Sequence, residues 1–274
     1  MPGNQKSVLL SGNEPNQPDI SRIRTNAPNM MIENLSNIAG PVAVFSIFAG
    51  MAGFYLYFYP AHAGWTDRIG QKSPNPDTGL LIRFLFRKIW GFLAMGLVPA
   101  FAWVLLLNRP VSSFGLTVDD VSKYWPWLLL TIAIPILLNA FLARNPKTHE
   151  MYPQLRIRNW TPGLFTLNAL GWFFYLLGYE YLFRGVLLFG VYEDWGFWGA
   201  IATNTALYSL AHFNKGIGET LGAIPFGILL CLISLTTGTI WFALMAHLSL
   251  ALSNDYFSIR YNPEMGFTKQ KERL

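Results

Sequence analysis

Five long runs of this chain contain no Asp, Glu, Lys or Arg, and no other feature limits the possible folds as strongly. A helix of about 20 apolar residues is long enough to cross the hydrocarbon core of a bilayer, and each run can hold one. Only 13% of the residues are charged, against roughly 25% in soluble domains. The pattern therefore predicts an integral membrane protein. The runs are 34–66, 89–108, 124–143, 159–179 and 220–246.

The apolar runs divide into about seven predicted membrane-spanning helices, within a range of six to eight. The predicted spans are 38–60, 89–108, 124–143, 161–182, 196–213, 220–237 and 239–257. The expected fold is an all-α polytopic bundle, an integral membrane domain over 38–257. Residues 1–37 are polar and rich in Pro and Asn, so we predict a disordered N-terminal tail. Residues 258–274 are predicted to form a C-terminal tail.

The net charge of +5 is explained better by membrane topology than by nucleic-acid binding. With seven spans, most Lys and Arg residues fall on the side that holds the C-terminus, and cytoplasmic loops carry such an excess. We therefore predict a cytoplasmic C-terminus, the lipid bilayer as a partner and no nucleic-acid partner. Arg83, Arg87 and Lys88 alternate with apolar residues before the second span, and we expect them to meet lipid headgroups.

The sequence lacks the motifs that hold common cofactors. It has no Gly-rich phosphate loop, no Cys-x-x-Cys cluster and no His-Glu-x-x-His helix, the patterns that bind nucleotides or zinc. We therefore predict no cofactor and assign no metal ligands, and whether a metal is bound is left open. The oligomeric state is left open.

Four ionisable residues lie within predicted spans, where such groups are costly and mark candidate functional sites. They are Glu180, Arg184, His212 and His247. Glu180 and Arg184 are spaced i,i+4 and can pair on one helix face. If the four side chains meet, the carboxylate could accept a proton from water while an imidazole stabilises an oxyanion. Two His and one Glu could also hold a metal, and transport or a structural ion pair are further alternatives.

Four short stretches occur in a specific order over 160–257. The stretch "YEYLFRG" (179–185) is followed by "YSLAH" (208–212), then by "TGTIW" (237–241) and by "HLSLA" (247–251). This order resembles the CAAX protease and bacteriocin-processing family, also called Abi. The hallmarks of that family are Glu-Glu-x-x-x-Arg, Phe-x-x-x-His and His-x-x-x-Asn/Asp, each on a separate transmembrane helix.

The resemblance implies a glutamate-type intramembrane endopeptidase. In this family the first Glu activates water, and the two His and the Asn help to bind the oxyanion. The matching positions here are Glu180, Arg184, His212 and His247, with Glu180 as the second acid of the pair. Two departures affect the chemistry: Tyr179 stands at the first Glu position and Ala251 at the Asn or Asp position. The third, Tyr208 in place of Phe, keeps an aromatic ring.

Two functions therefore follow from the sequence. The first is an endopeptidase that hydrolyses peptide bonds of a membrane-associated peptide or protein, with Glu180 as the base and the two His as donors. The alternative is a proteolytically inactive relative that binds or regulates a membrane partner. We also predict a location in the bacterial inner (cytoplasmic) membrane. The resemblance does not select among prenylated proteins, bacteriocins and signalling proteins as substrates.

Overall fold

The computed structural model describes residues 40–62, 64–118 and 121–268, and this part of the chain is almost entirely helical. The α-helices are α1 (Pro41–His62), α2 (Trp65–Arg68), α3 (Pro76–Phe92), α4 (Val98–Leu107), α5 (Trp125–Leu142), α6 (Pro146–Met151), α7 (Pro162–Glu180), α8 (Gly190–Ala211), α9 (Ile217–Thr237) and α10 (Trp241–Tyr261). The π-helical segments are Leu93–Leu97 and Tyr181–Phe189, and the 3-10 segments are Val111–Phe114, Val121–Tyr124 and Phe213–Lys215. The strands are β1 (Asn159–Trp160) and β2 (Gly266–Phe267).

Each predicted span corresponds to a helical stretch, so the prediction of an all-α polytopic membrane protein is confirmed. Five stretches of the described residues are long and apolar enough to cross a membrane. They are Pro41–Pro60, Pro76–Leu107, Ser122–Leu142, Pro162–Ala211 and Ile217–Thr237. Helix α10, the last predicted span, is not among the five, and its C-terminal half carries Asp255 and Arg260.

The stretch Pro162–Ala211 covers nearly all of two predicted spans, 161–182 and 196–213. Its 50 residues would extend about 75 Å as one straight helix at 1.5 Å per residue. The hydrocarbon core is only about 30 Å thick. Gly196, at φ 67° and ψ −169°, breaks the helical geometry inside α8. This break lies at the start of the predicted span 196–213. The long stretch is therefore interrupted close to the boundary predicted between the two spans.

Glycines let the end of α7 approach the α3–α4 region closely. A Cβ added at Gly178 would lie 2.8 Å from the backbone Cα of Phe92, and one at Gly96 would lie 3.1 Å from the Cα of Gly178. Small residues at such positions allow membrane helices to pack backbone against backbone. The last turn of α7, which carries Glu180, is thereby fixed against its neighbour.

Helices α5 and α10 pack against each other and are joined by an interhelical polar contact. The Asn139 amide donates to the Leu250 carbonyl at 2.7 Å and contacts the Ser253 hydroxyl at 2.9 Å. Polar side chains within membranes commonly hydrogen-bond across helices in this way. The contact fixes the helix that carries His247.

A short two-stranded sheet lies outside the long helices. Strands β1 and β2 pair in parallel, with Asn159 opposite Gly266 and Trp160 opposite Phe267. Helix α10 extends to Tyr261, beyond the boundary at 257 predicted from the sequence. The predicted N-terminal tail, 1–37, and the last residues of the predicted C-terminal tail lie outside the described residues.

Candidate active site

The last turn of α7 is buried on every side, as expected for a helix surrounded by other helices. Gly178, Tyr179 and Glu180 are all buried there. A π-helical segment, Tyr181–Phe189, follows at once, and such segments are frequent at functional sites. The Asn204 amide of α8 donates to the Phe183 carbonyl within this segment at 2.5 Å. The contact supplies a hydrogen-bond partner where the helix changes its geometry.

Glu180 and Arg184 form a buried ion pair. Arg184 Nη1 lies 3.2 Å from Glu180 Oε2, and both side chains are fully inaccessible to solvent. The i,i+4 spacing predicted this pair, and the structure confirms it. The guanidinium also lies over the Tyr208 ring, 4.2 Å from its centroid, a cation–π contact. Arg184 thus keeps the Glu180 carboxylate paired inside the protein.

His247 of α10 contacts the same carboxylate. Its Nδ1 lies 2.6 Å from Glu180 Oε1. An ionised carboxylate has no hydrogen to give, so the imidazole Nδ1–H donates to it. The structure therefore joins an acid of α7 to a histidine of α10, a contact that sequence spacing could not reveal.

His212 lies at the end of α8 and is buried. Its Nδ1 lies 2.9 Å from the Tyr208 carbonyl oxygen. A carbonyl only accepts, so Nδ1–H is the donor here as well. The ring packs on Tyr208, with centroids 4.6 Å apart. Among the described contacts, His212 thus has a backbone partner and no carboxylate partner.

Two tyrosine rings lie between the histidines. The Tyr179 centroid is 5.5 Å from that of His247 and 6.4 Å from that of His212, with nearly perpendicular planes in both pairs. Tyr208 lies 6.4 Å from His247 and also contacts Tyr179, at 6.0 Å. The side chains of the predicted residues Glu180, Arg184, His212 and His247 therefore gather around these two rings.

This cluster does not offer the ligand set of a metal site. Within the described ranges, no group of three or more His, Cys, Asp and Glu side chains is placed to hold a metal ion. Glu180 accepts a hydrogen bond from His247 Nδ1. The carboxylate and this imidazole therefore bind each other and do not point at a common ion. The alternative of two His and one Glu as shared ligands gains no support from these contacts.

A second buried group of charged and polar side chains surrounds Trp172, and it was not predicted from the sequence. The Lys88 ammonium lies 2.9 Å from the Trp172 ring centroid and donates to Gln154 at 3.0 Å. The indole N–H donates to Asp255 Oδ2 at 2.7 Å, and the Asn168 amide does so at 2.9 Å. Lys88 is therefore buried, and its expected place among lipid headgroups was wrong. The sequence feature that could have predicted this group is Asp255, an acid two turns beyond His247 on α10.

Comparison with known protein families identifies the part of the chain that carries this cluster. Residues 161–253 match the family model described as "Type II CAAX prenyl endopeptidase Rce1-like". This segment is therefore similar to the type II CAAX prenyl endopeptidases. The match spans about a third of the chain and includes all four predicted site residues. The predicted relationship is confirmed. No curated protein and no solved structure matches the chain significantly.

The CAAX protease family is a family of hydrolases, and this chain departs from its motifs at two informative places. Tyr179 lies in the middle of the cluster, beside both imidazoles. Ala251 is buried in an apolar cluster with Leu155 and Trp172 and has no hydrogen-bonding side chain. The position at which the family places an Asn or Asp therefore contributes only a methyl group here.

Proposed function

We propose that this protein is an intramembrane endopeptidase of the CAAX-protease type, in which Glu180 and His247 act together on water. The observation that carries the proposal is the 2.6 Å hydrogen bond between Glu180 Oε1 and His247 Nδ1. A carboxylate that orients an imidazole and stabilises its charged form is a recurrent device for water or hydroxyl activation. The substrate is a membrane-associated peptide or protein.

The accessible surface suggests which member of the pair meets water. The His247 side chain is 12% accessible, whereas Glu180 is 0% accessible. With Nδ1–H held by Glu180, the neutral ring keeps a lone pair on Nε2. In the proposed reaction, the water oxygen bonds to the amide carbon while Nε2 takes a water proton. The C–N bond then breaks and the leaving nitrogen takes that proton, so His247 ends neutral. This differs from the sequence-based expectation that Glu180 takes the proton itself.

Cleavage by the purified full-length chain in liposomes tests this proposal. One probe is a farnesylated peptide ending in Cys, two aliphatic residues and a variable residue, and the other is a set of membrane-spanning peptides. We expect Glu180→Gln and His247→Gln to lose most of the activity. Ser249→Ala is the matched control on the same helix as His247, because among the described residues the Ser249 hydroxyl bonds the Met245 carbonyl of its own helix, at 2.7 Å. Cleavage that persists in both site variants contradicts the proposal.

A specific observation supports the inactive alternative as the second candidate. Tyr179 occupies the position of the first Glu of the family, and the remaining acid, Glu180, is fully buried between Arg184 and His247. Such a cluster could serve to hold the helices of a partner-binding protein. Binding of the probe peptides without any cleavage by the wild-type protein would favour this function over hydrolysis.

We further propose a bacterial inner membrane location with a cytoplasmic C-terminus. The excess of Lys and Arg on the side of the C-terminus supports this orientation. Alkaline phosphatase fused after Leu274 is expected to be inactive, because that enzyme folds only outside the cytoplasm. An active C-terminal fusion contradicts the orientation.

A further inference from the structure

The two histidines of the site have no free hydrogen-bond donor for an oxyanion. The Arg184 guanidinium nitrogens also have no hydrogen-bond partner within the described residues, but that cation is ion-paired with Glu180. His212 Nδ1–H is held by the Tyr208 carbonyl and His247 Nδ1–H by Glu180. In a neutral imidazole the second nitrogen accepts and does not donate. Neither neutral histidine can therefore offer an N–H to a developing negative charge, and Ala251 has no donor at all.

Tyr179 carries a donor without a partner. Its side chain is only 4% exposed, and within the described residues its hydroxyl has no hydrogen-bond partner. A buried hydroxyl in this state costs about 1–3 kcal/mol. The ring lies edge-on between the two imidazoles, 5.5 Å and 6.4 Å from their centroids. An acceptor that enters the cluster would recover that cost.

We propose that the Tyr179 hydroxyl donates the hydrogen bond that stabilises the oxyanion of the tetrahedral intermediate. This inference rests on the proposed endopeptidase function. When water attacks the amide, the negative charge moves to the former carbonyl oxygen, next to the base that takes the proton. A neutral phenol keeps its proton throughout and only donates a hydrogen bond, so no atom is gained or lost at Tyr179. The residue that replaces the first Glu of the family becomes a catalytic residue of a different kind.

The test compares Tyr179→Phe with Tyr181→Phe. Both changes remove one oxygen and keep the ring. Tyr181 is a close match, because it is 3% exposed and its hydroxyl also has no partner within the described residues. Its ring, however, packs in a separate apolar cluster with Trp103 and Phe114. The control thus reproduces the structural change without touching the two imidazoles.

We expect kcat for the farnesylated peptide to fall about 100-fold to 1,000-fold in Tyr179→Phe, with KM unchanged. A phosphinate peptide, which mimics the tetrahedral intermediate, should bind this variant more weakly by a similar factor. Tyr181→Phe should keep both values. Both variants should be at least as stable as the wild type, because each loses an unsatisfied buried hydroxyl. Falling activity with unchanged or rising stability is a result that a packing role would not give.

The outcomes separate the two proposals. If the wild type cleaves the peptide and Tyr179→Phe retains its kcat, this inference is wrong and the endopeptidase proposal stands. Equal losses in Tyr179→Phe and Tyr181→Phe would also overturn it, since they would report a general packing effect. A wild-type protein that cleaves no probe overturns the proposed function, and the role of Tyr179 with it.

Discussion

Replacing Arg184 with Met should strongly destabilise the protein, because it leaves the Glu180 carboxylate without its cation. The two charged groups are 3.2 Å apart and neither is accessible to solvent. At an effective dielectric constant of about 20, this separation corresponds to an attraction of about 5 kcal/mol. Removing one partner of a buried pair typically costs about 3–5 kcal/mol. We therefore expect the free energy of unfolding to fall by about 3–5 kcal/mol.

The assay is equilibrium unfolding of the full chain in mixed detergent micelles, followed by tryptophan fluorescence. Arg109→Met is the control, because it breaks an ion pair with Glu193 whose side chains are 38% and 39% exposed. Exposed pairs are worth no more than about 1 kcal/mol. The double variant Glu180→Gln with Arg184→Met should recover much of the loss, since no unpaired charge is left. A single Arg184→Met variant within about 1 kcal/mol of wild type would refute the reasoning.

Two further predictions concern the packing that positions the site. Gly178→Ala should lower stability by about 1–3 kcal/mol in thermal unfolding, because its Cβ would lie 2.8 Å from the Phe92 Cα. Gly163→Ala is the control, since no atom lies within 4 Å of its added Cβ, and an equal loss there would contradict the prediction. Asn204→Leu should cost about 1–3 kcal/mol by leaving the Phe183 carbonyl without its donor, and an unchanged melting temperature would argue against that contact.

The sequence predicted the helices well because the membrane leaves little choice. A chain in hydrocarbon must satisfy its backbone hydrogen bonds internally, so an apolar run of about 20 residues becomes a helix. The i,i+4 pair of Glu180 and Arg184 followed from helix geometry alone. These features depend on residues that are close in the sequence, which is why pattern and spacing were sufficient.

Contacts between distant helices could not be predicted in the same way. The Glu180–His247 bond joins residues 67 positions apart, and it depends on the rotation of two helices that no local pattern fixes. On an ideal helix, the side chains of Tyr179 and Glu180 point about 100° apart. In the structure, the Tyr179 ring nevertheless packs beside the His247 ring, and the Glu180 carboxylate accepts a hydrogen bond from His247 Nδ1. Lys88 was misplaced because it borders a predicted span, where a cation usually reaches the interface.

Tyr179, at the position of the first Glu of the family motif, leaves the site with one carboxylate fewer. Two adjacent carboxylates in one buried site cannot both ionise easily, so a Glu-Glu pair supplies a carboxyl group that can exchange a proton. Here the Arg184 guanidinium contacts one carboxylate, that of Glu180, and the neighbouring residue is a neutral phenol. The carboxylate is then committed to Arg184 and His247. In the proposed reaction an imidazole lone pair therefore accepts the proton from water, and the base is the histidine of α10 and not an acid of α7.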